Sequence, residues 1–282
     1  MSSPTNQSWP GSRPPSRSLP SGAERSYVRF VALGDSATRG VGDPAHDGSW
    51  RGWARILSDG IAEAHDVSFS NLAVPGATIA EVVRNQLPRA LGHRAHLAAL
   101  IVGLNDTMRA TWEPRELRAN LFACAEALTA HGAVLMTVRF HDHVRILRLP
   151  RPLARTMSHR IEELNEILDE VHEVYGGLRV DLSELPAVHD RAFWSFDRLH
   201  PSELGHRALA ARFAALLHDE GLRFPAPSLE CTGPVAGPRD NLRWLMDEVI
   251  PWVGRRAAEL GPAVALSLAR TLRATGPTDG DV

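Results

Sequence analysis

From Tyr27 onward the chain alternates between short apolar runs and longer stretches in which apolar side chains recur every three or four positions. The runs at 27–33, 67–74, 97–102, 133–140 and 178–182 predict five strands. The stretches at 51–64, 79–91, 113–130, 152–175 and 201–219 have helical spacing. Pro114 and Pro201 stand near helix starts, and Gly132 and Gly221 lie just past helix ends. Strands one and three to five are nearly continuous apolar runs, as expected of parallel strands covered by helices on both faces. Single strands alternating with helices predict a three-layer α/β sandwich. In an open sheet of this kind ligands bind beyond the carboxyl ends of the strands, so the residues after each run are the place to look for chemistry.

The flanks read differently. Residues 1–26 are rich in Ser, Pro and Gly with little to bury and are expected to form a flexible tail. The core domain is expected over 27–222. A Pro/Gly-rich linker should follow over 223–240, then a helical extension over 241–282. In that extension Leu242, Leu245, Val249 and Trp252 share one face, and Pro251 is expected to kink the helix. Packing on the core is the expected fate of this stripe; a second protomer and a membrane surface are its rivals.

Composition narrows the function. Thirty-one Lys and Arg against 33 Asp and Glu give a net charge of −2, which lacks the basic field that phosphate backbones require. Nucleic acid is therefore not an expected partner. The two cysteines, Cys124 and Cys231, exclude a disulfide framework and a multi-thiolate metal site. No run of about 18 apolar residues suggests a membrane span, and the N-terminus lacks the apolar core of a secretory signal, so a cytoplasmic location is the default expectation.

Four short motifs fall just past predicted strands. Gly34-Asp35-Ser36 puts a hydroxyl where the backbone leaves the first strand; alone it also reads as an Asp-Ser turn. After the second, the segment from Asn71 to Gly76 ends in a glycine whose N–H a ligand can approach closely, although such a glycine also simply makes a turn. After the third, Gly103-Leu104-Asn105-Asp106 supplies a carboxamide at the same edge, again compatible with a plain turn. Before the last core helix, Asp197-Arg198-Leu199-His200-Pro201 joins a carboxylate to an imidazole, with helix capping as the structural alternative. Together they supply what acyl transfer needs: a serine nucleophile, an imidazole to take its proton, a carboxylate to orient that imidazole, and donors for an oxyanion.

GDS, NLAVPG, GLND and DRLHP resemble the four signature blocks of the SGNH hydrolases, also called GDSL lipases/esterases, over roughly residues 27–218. The resemblance implies a flavodoxin-like α/β/α fold around a five-stranded parallel sheet. It also implies hydrolysis of an ester, thioester or related acyl bond without a cofactor. Carried over by position, Ser36 is the nucleophile, Asp197 and His200 complete a triad, and the oxyanion hole is built from the N–H groups of Ser36 and Gly76 and the Asn105 side chain. The family's third block usually has Gly where Leu104 stands, a change expected to narrow or grease the pocket. The same acyl-enzyme in an acyltransferase, and a non-catalytic carbohydrate- or lipid-binding module, are the rival functions; the oligomeric state is left open.

Other features are weaker. His141-Asp142-His143 lacks a third ligand nearby and is expected to be a solvated loop rather than a metal site, and His93 and His96 meet the same objection. Cys124 sits on an apolar helix face as a small core residue. The arginines of 139–155, interleaved with Ile146, Leu147 and Leu149, raise the prospect of a cationic, apolar substrate surface, against the plainer reading of a solvated connection.

Overall fold

A computed structural model describes residues 25–147 and 151–234. Five parallel strands form one sheet: β1 Tyr27–Gly34, β2 Asp66–Asn71, β3 Leu97–Ile101, β4 Val134–Arg139 and β5 Leu178–Asp181, in the order β2-β1-β3-β4-β5. The strand order reverses between β1 and β3, where Gly34 pairs with Ile101, and this places a crevice at their carboxyl ends. The helices are α1 Ser36–Arg39, α2 Gly52–Ala62, α3 Ile79–Glu81, α4 Leu87–Gly92, α5 Leu104–Thr107, α6 Pro114–Ala130, α7 Val144–Leu147, α8 Arg151–Tyr175 and α9 Glu203–Asp219. Helices α2 and α9 cover one face of the sheet; α4, α6 and α8 cover the other. This is the expected sandwich.

The central strands bury nearly every side chain, Leu97 to Ile101 among them, which is why they read as unbroken apolar runs. Across one face, Trp53 of α2 stacks on Phe213 of α9 at 5.0 Å, so α2 is locked to α9. His206 of α9 is fully buried here and still satisfied: its Nδ1 accepts the Trp53 N–H and its Nε2 lies 3.0 Å from the Val41 carbonyl.

Several local expectations need correction. The second strand stops at Asn71 rather than 74: the N–H groups of Leu72 and Val74 still reach the Ala32 and Gly34 carbonyls, while the Asn71 side chain folds back, its amide donating to the Thr38 carbonyl and its oxygen accepting the Ala73 N–H. Val74 stands 53% exposed. The helix expected over 79–91 contains a π-helical turn, Val82–Gln86, between α3 and α4. Residues 223–234, the described part of the expected linker, lie bound against the domain: Phe224 is buried, Arg207 donates to the Ser228 carbonyl and the Thr232 hydroxyl, and Glu203 accepts the N–H groups of Thr232 and Gly233. Residues 1–24 of the expected tail, the rest of the expected linker and the helical extension expected over 241–282 fall outside the described residues. No helix among those described is long and apolar enough to cross a membrane.

Candidate active site

The backbone leaves β1 through Gly34, at φ +149°, where a Cβ would lie 2.2 Å from the Ile101 carbonyl oxygen. Only glycine fits. Both backbone groups of Gly34 are taken by one buried carboxamide, the Gln86 side chain in the π-helical turn, at 2.9 Å each. The strand end is thus held by a side chain that imitates a neighbouring strand. Asp35 then caps α1, accepting the Ala37 N–H, and Ser36 opens that helix.

Asp197 and His200 lie on the loop between the last 3₁₀ turn, Arg191–Phe193, and α9. The loop is closed at its base by the Ser195 N–H on the His200 carbonyl and by a bridge between Trp194 and Pro201. Arg198 adopts φ +60° at its tip, a left-handed turn that lets one Asp197 oxygen collect the N–H groups of Leu199 and His200 and the Ser195 hydroxyl. The other oxygen lies 2.7 Å from His200 Nδ1, and His200 Nε2 lies 2.9 Å from Ser36 Oγ. Burial alone would raise the Asp197 carboxyl; these donors overcome it and hold the group below the usual carboxylate range.

Asn105 begins just past Gly103 at the end of β3, and its buried amide donates to Asp35 Oδ2 at 3.2 Å and to the Ala77 carbonyl at 3.3 Å. One side chain therefore ties the residue before Ser36 to the residue after Gly76. Both bonds are longer than the usual 2.9–3.0 Å, so the amide is oriented without being strongly held. Gly76 turns at φ +79° with open space where a side chain would stand. The five residues expected at the site are thus gathered at one edge of the sheet.

Sequence reasoning missed the carboxyls beneath them. Asp35 is buried and pushed up to about 6 by loss of water, the Ala37 N–H, the His200 charge and the Asn105 amide offsetting only part of this. Asp106 is pushed up to about 7, by burial first and by the Asp35 charge, against the Ile79 N–H that it accepts. Behind the loop, Arg51 joins Asp43 to Glu203, two residues past Pro201, so the turn after α1 and the entrance to α9 are braced together.

The cavity beside Ser36 is walled by Ile101, Leu104, Met108, Phe140, Phe193 and Trp194, with Asn105, His143 and His200 among the polar residues that line it. Leu104 is a wall residue, as its departure from Gly implied. The segment 141–143 is not the solvated loop expected: His141 and His143 are 3% and 4% exposed, turned inward because Asp142 takes the outward position, bonded to the Val144 N–H and the Ser158 hydroxyl. Of the arginines singled out over 139–155, Arg139 is paired with Glu162 and Asp169, Arg151 and Arg155 are exposed, and Arg148 lies outside the described residues.

Solved structures with the same fold include TesA (22% identity, TM-score 0.55, 68% of this chain and 99% of that one). The lipase/acylhydrolase from Enterococcus faecalis (20%, 0.55, 71% and 99%) and the acetylxylan esterase Axe2 from Geobacillus stearothermophilus (17%, 0.55, 73% and 99%, as a catalytic mutant) are similar in the same way. No curated protein matches the chain. Residues 32–208, well over half of the sequence and spanning every motif above, match the GDSL-like Lipase/Acylhydrolase family. The chain belongs to that family and is an SGNH-type hydrolase.

Proposed function

We propose that the protein hydrolyses a small-molecule ester or thioester through an acyl-enzyme on Ser36. The observation that carries this reading is the unbroken relay from Ser36 Oγ through His200 to Asp197, at 2.9 and 2.7 Å. His200 Nε2 takes the Ser36 hydroxyl proton as Oγ bonds to the acyl carbon. Its Nδ1–H stays on Asp197, which stabilises the imidazolium without taking the proton. The carbonyl oxygen becomes an oxyanion, received by the N–H groups of Ser36 and Gly76 and by the Asn105 amide, which exchanges its long bond to Ala77 for a shorter one to the anion. Collapse breaks the bond to the leaving alcohol or thiol, which departs with the proton from His200. Water repeats the sequence: His200 accepts its proton, the hydroxyl adds to the acyl carbon, and Ser36 leaves reprotonated with the acid released.

The esterase EstA from Pseudoalteromonas sp., of the same fold at 17% identity and TM-score 0.51, was solved inhibited by monoethylphosphonate, and a phosphonate reagent is the direct test here. A fluorophosphonate probe is expected to label the wild-type chain and to leave Ser36→Ala unlabelled, with hydrolysis of p-nitrophenyl butyrate lost in parallel. Labelling that survives in Ser36→Ala places the nucleophile elsewhere and ends the proposal.

A further inference from the structure

The wall of the cavity opposite the relay in sequence, the end of β4, holds an unusual group. The Asn165 side chain brackets Phe140, donating to its carbonyl and accepting its N–H, both at 2.8 Å. Beyond that bracket the rings of His141 and His143 lie tilted together with centroids 4.1 Å apart, and Trp194 packs on both at 4.9 and 5.0 Å. The Trp194 N–H is used on the Val188 carbonyl. Both ring nitrogens of His141 and Nδ1 of His143 are buried with no hydrogen-bond partner. Trp53, which lines the same cavity as His143, also has a buried indole N–H without a partner, its backbone N–H being the one given to His206.

Unpartnered buried polar atoms are few in folded proteins, and each asks for a reason. The other buried imidazoles among the described residues, His65 and His206, have partners on both nitrogens, and the less buried His172 and His218 each leave one nitrogen without a partner. Loss of water holds His141 down to about 2 and His143 to about 4, the latter against the backbone of Leu199 and His141, which favours its charged form, so near neutral pH both rings are uncharged. An uncharged imidazole offers one N–H and one lone pair. That suits a hydroxyl or keto oxygen and gives a carboxylate or phosphate no counter-charge. The space is also small, about 60 Å³; at roughly 10–15 Å³ for each water-sized occupant it takes about four to six heavy atoms.

We propose that this cavity is the acyl site and that it selects a short acyl group bearing an uncharged oxygen substituent, hydroxy or oxo, which hydrogen-bonds to His143. The inference rests on the acyl-enzyme reading above and names its substrate class.

The test compares p-nitrophenyl 3-hydroxybutyrate, lactate and acetoacetate with butyrate, propionate and octanoate. Wild-type kcat/KM should favour at least one oxygenated ester over its unsubstituted counterpart by about tenfold or more, since a site built to hydrogen-bond a substrate oxygen discriminates against the analogue without it. Octanoate should be the poorest. In His143→Phe the oxygenated-to-plain ratio should fall to about one; because the ratio is taken within each variant, a general loss of activity cancels. If that variant does not fold, Trp53→Phe, which removes the other unpartnered N–H, should lower the ratio at least threefold. A wild-type ratio at or below one for all three oxygenated esters, a ratio untouched by the variant that folds, or octanoate as the best substrate overturns the inference while Ser36 labelling and butyrate turnover leave the acyl-enzyme intact. Absence of both labelling and turnover removes the acyl-enzyme reading and this one with it.

Discussion

The ends of β1 and β4 are built alike and finished differently. Each is closed by a buried carboxamide from a helix on the same face, Gln86 on Gly34 and Asn165 on Phe140, which occupies both backbone groups of one residue. Past Gly34, the polar side chains are wired to one another: Asp35 to Asn105, Ser36 to His200, His200 to Asp197. Past Phe140 come two imidazoles tilted together against an indole, with three of their four ring nitrogens without a hydrogen-bond partner. Wired groups hold protons and charges in fixed places, which suits the reacting centre. Packed but unwired groups hold a shape with polar capacity in reserve, which suits a wall that meets substrate.

Breaking the wired end should be the costlier injury. Asp197→Asn removes the acceptor that fixes the His200 tautomer, and kcat is expected to fall by about 10⁴ with the fold intact; steady-state kinetics beside circular dichroism will show it. A fall below tenfold would take Asp197 out of the relay. Asn105→Ala should cost about 10²–10³ in kcat, the usual toll of one oxyanion donor, with thermal unfolding little changed. Gln86→Leu and Asn165→Leu compare the two brackets directly. Asn165→Leu leaves the Phe140 N–H and C=O without the partners they now have, whereas Gln86→Leu strips the Gly34 N–H alone, since the Gly34 carbonyl also accepts the Val74 N–H; each group so left should destabilise by about 1–3 kcal/mol, read by urea unfolding. Their kinetic signatures should then part: Gln86→Leu slows fluorophosphonate labelling of Ser36, whereas Asn165→Leu shifts acyl preference with labelling slowed less. Identical signatures would erase the distinction between the two ends.

The smallest effect concerns the raised carboxyls. Asp106, lifted toward 7, binds its proton more tightly in the folded protein than in the unfolded chain, so its ionisation opposes folding. The native state therefore loses stability as pH climbs from about 4 through 7. Asp197 has the opposite sign, its contribution present at neutral pH and lost on acidification below the ordinary carboxylate range. Asp106→Asn should accordingly gain melting temperature over the wild type by a margin that is small at pH 4.5 and wider at pH 8. A margin constant with pH would refute the assignment.

What could be read from the sequence follows from how each residue is placed. Ser36, Asn105, Asp197 and His200 stand beside apolar runs or a helix start, so their position at the sheet edge is visible from periodicity, and their types then suggest the chemistry. Gln86 and Asn165 are tens of residues from the backbone they bracket, and in the sequence they are single polar letters within helices. Their one signal was available: Asn165 lies among Ile161, Leu164, Leu168 and Val171 on a face that is otherwise wholly apolar. His141 and His143 misled because His-Asp-His reads as polar, and no periodicity tells that the carboxylate alone faces outward. The end of the second strand falls at Asn71, whose side chain turns on its own backbone.

The relay joins positions 164 residues apart, and the braces around it, Trp53 to His206 and Arg51 to Glu203, span 153 and 152. Nearly the whole domain must therefore be present and docked before the first helix meets the last. Contacts of such long range form slowly, because the entropy of closing the intervening loop is lost before the contact is made. On the proposed mechanism Ser36 has no imidazole partner until the 197–200 loop and α9 have packed against α1 and α2. In refolding from denaturant, helix content should return ahead of hydrolytic activity, which makes the site a late reporter of native structure.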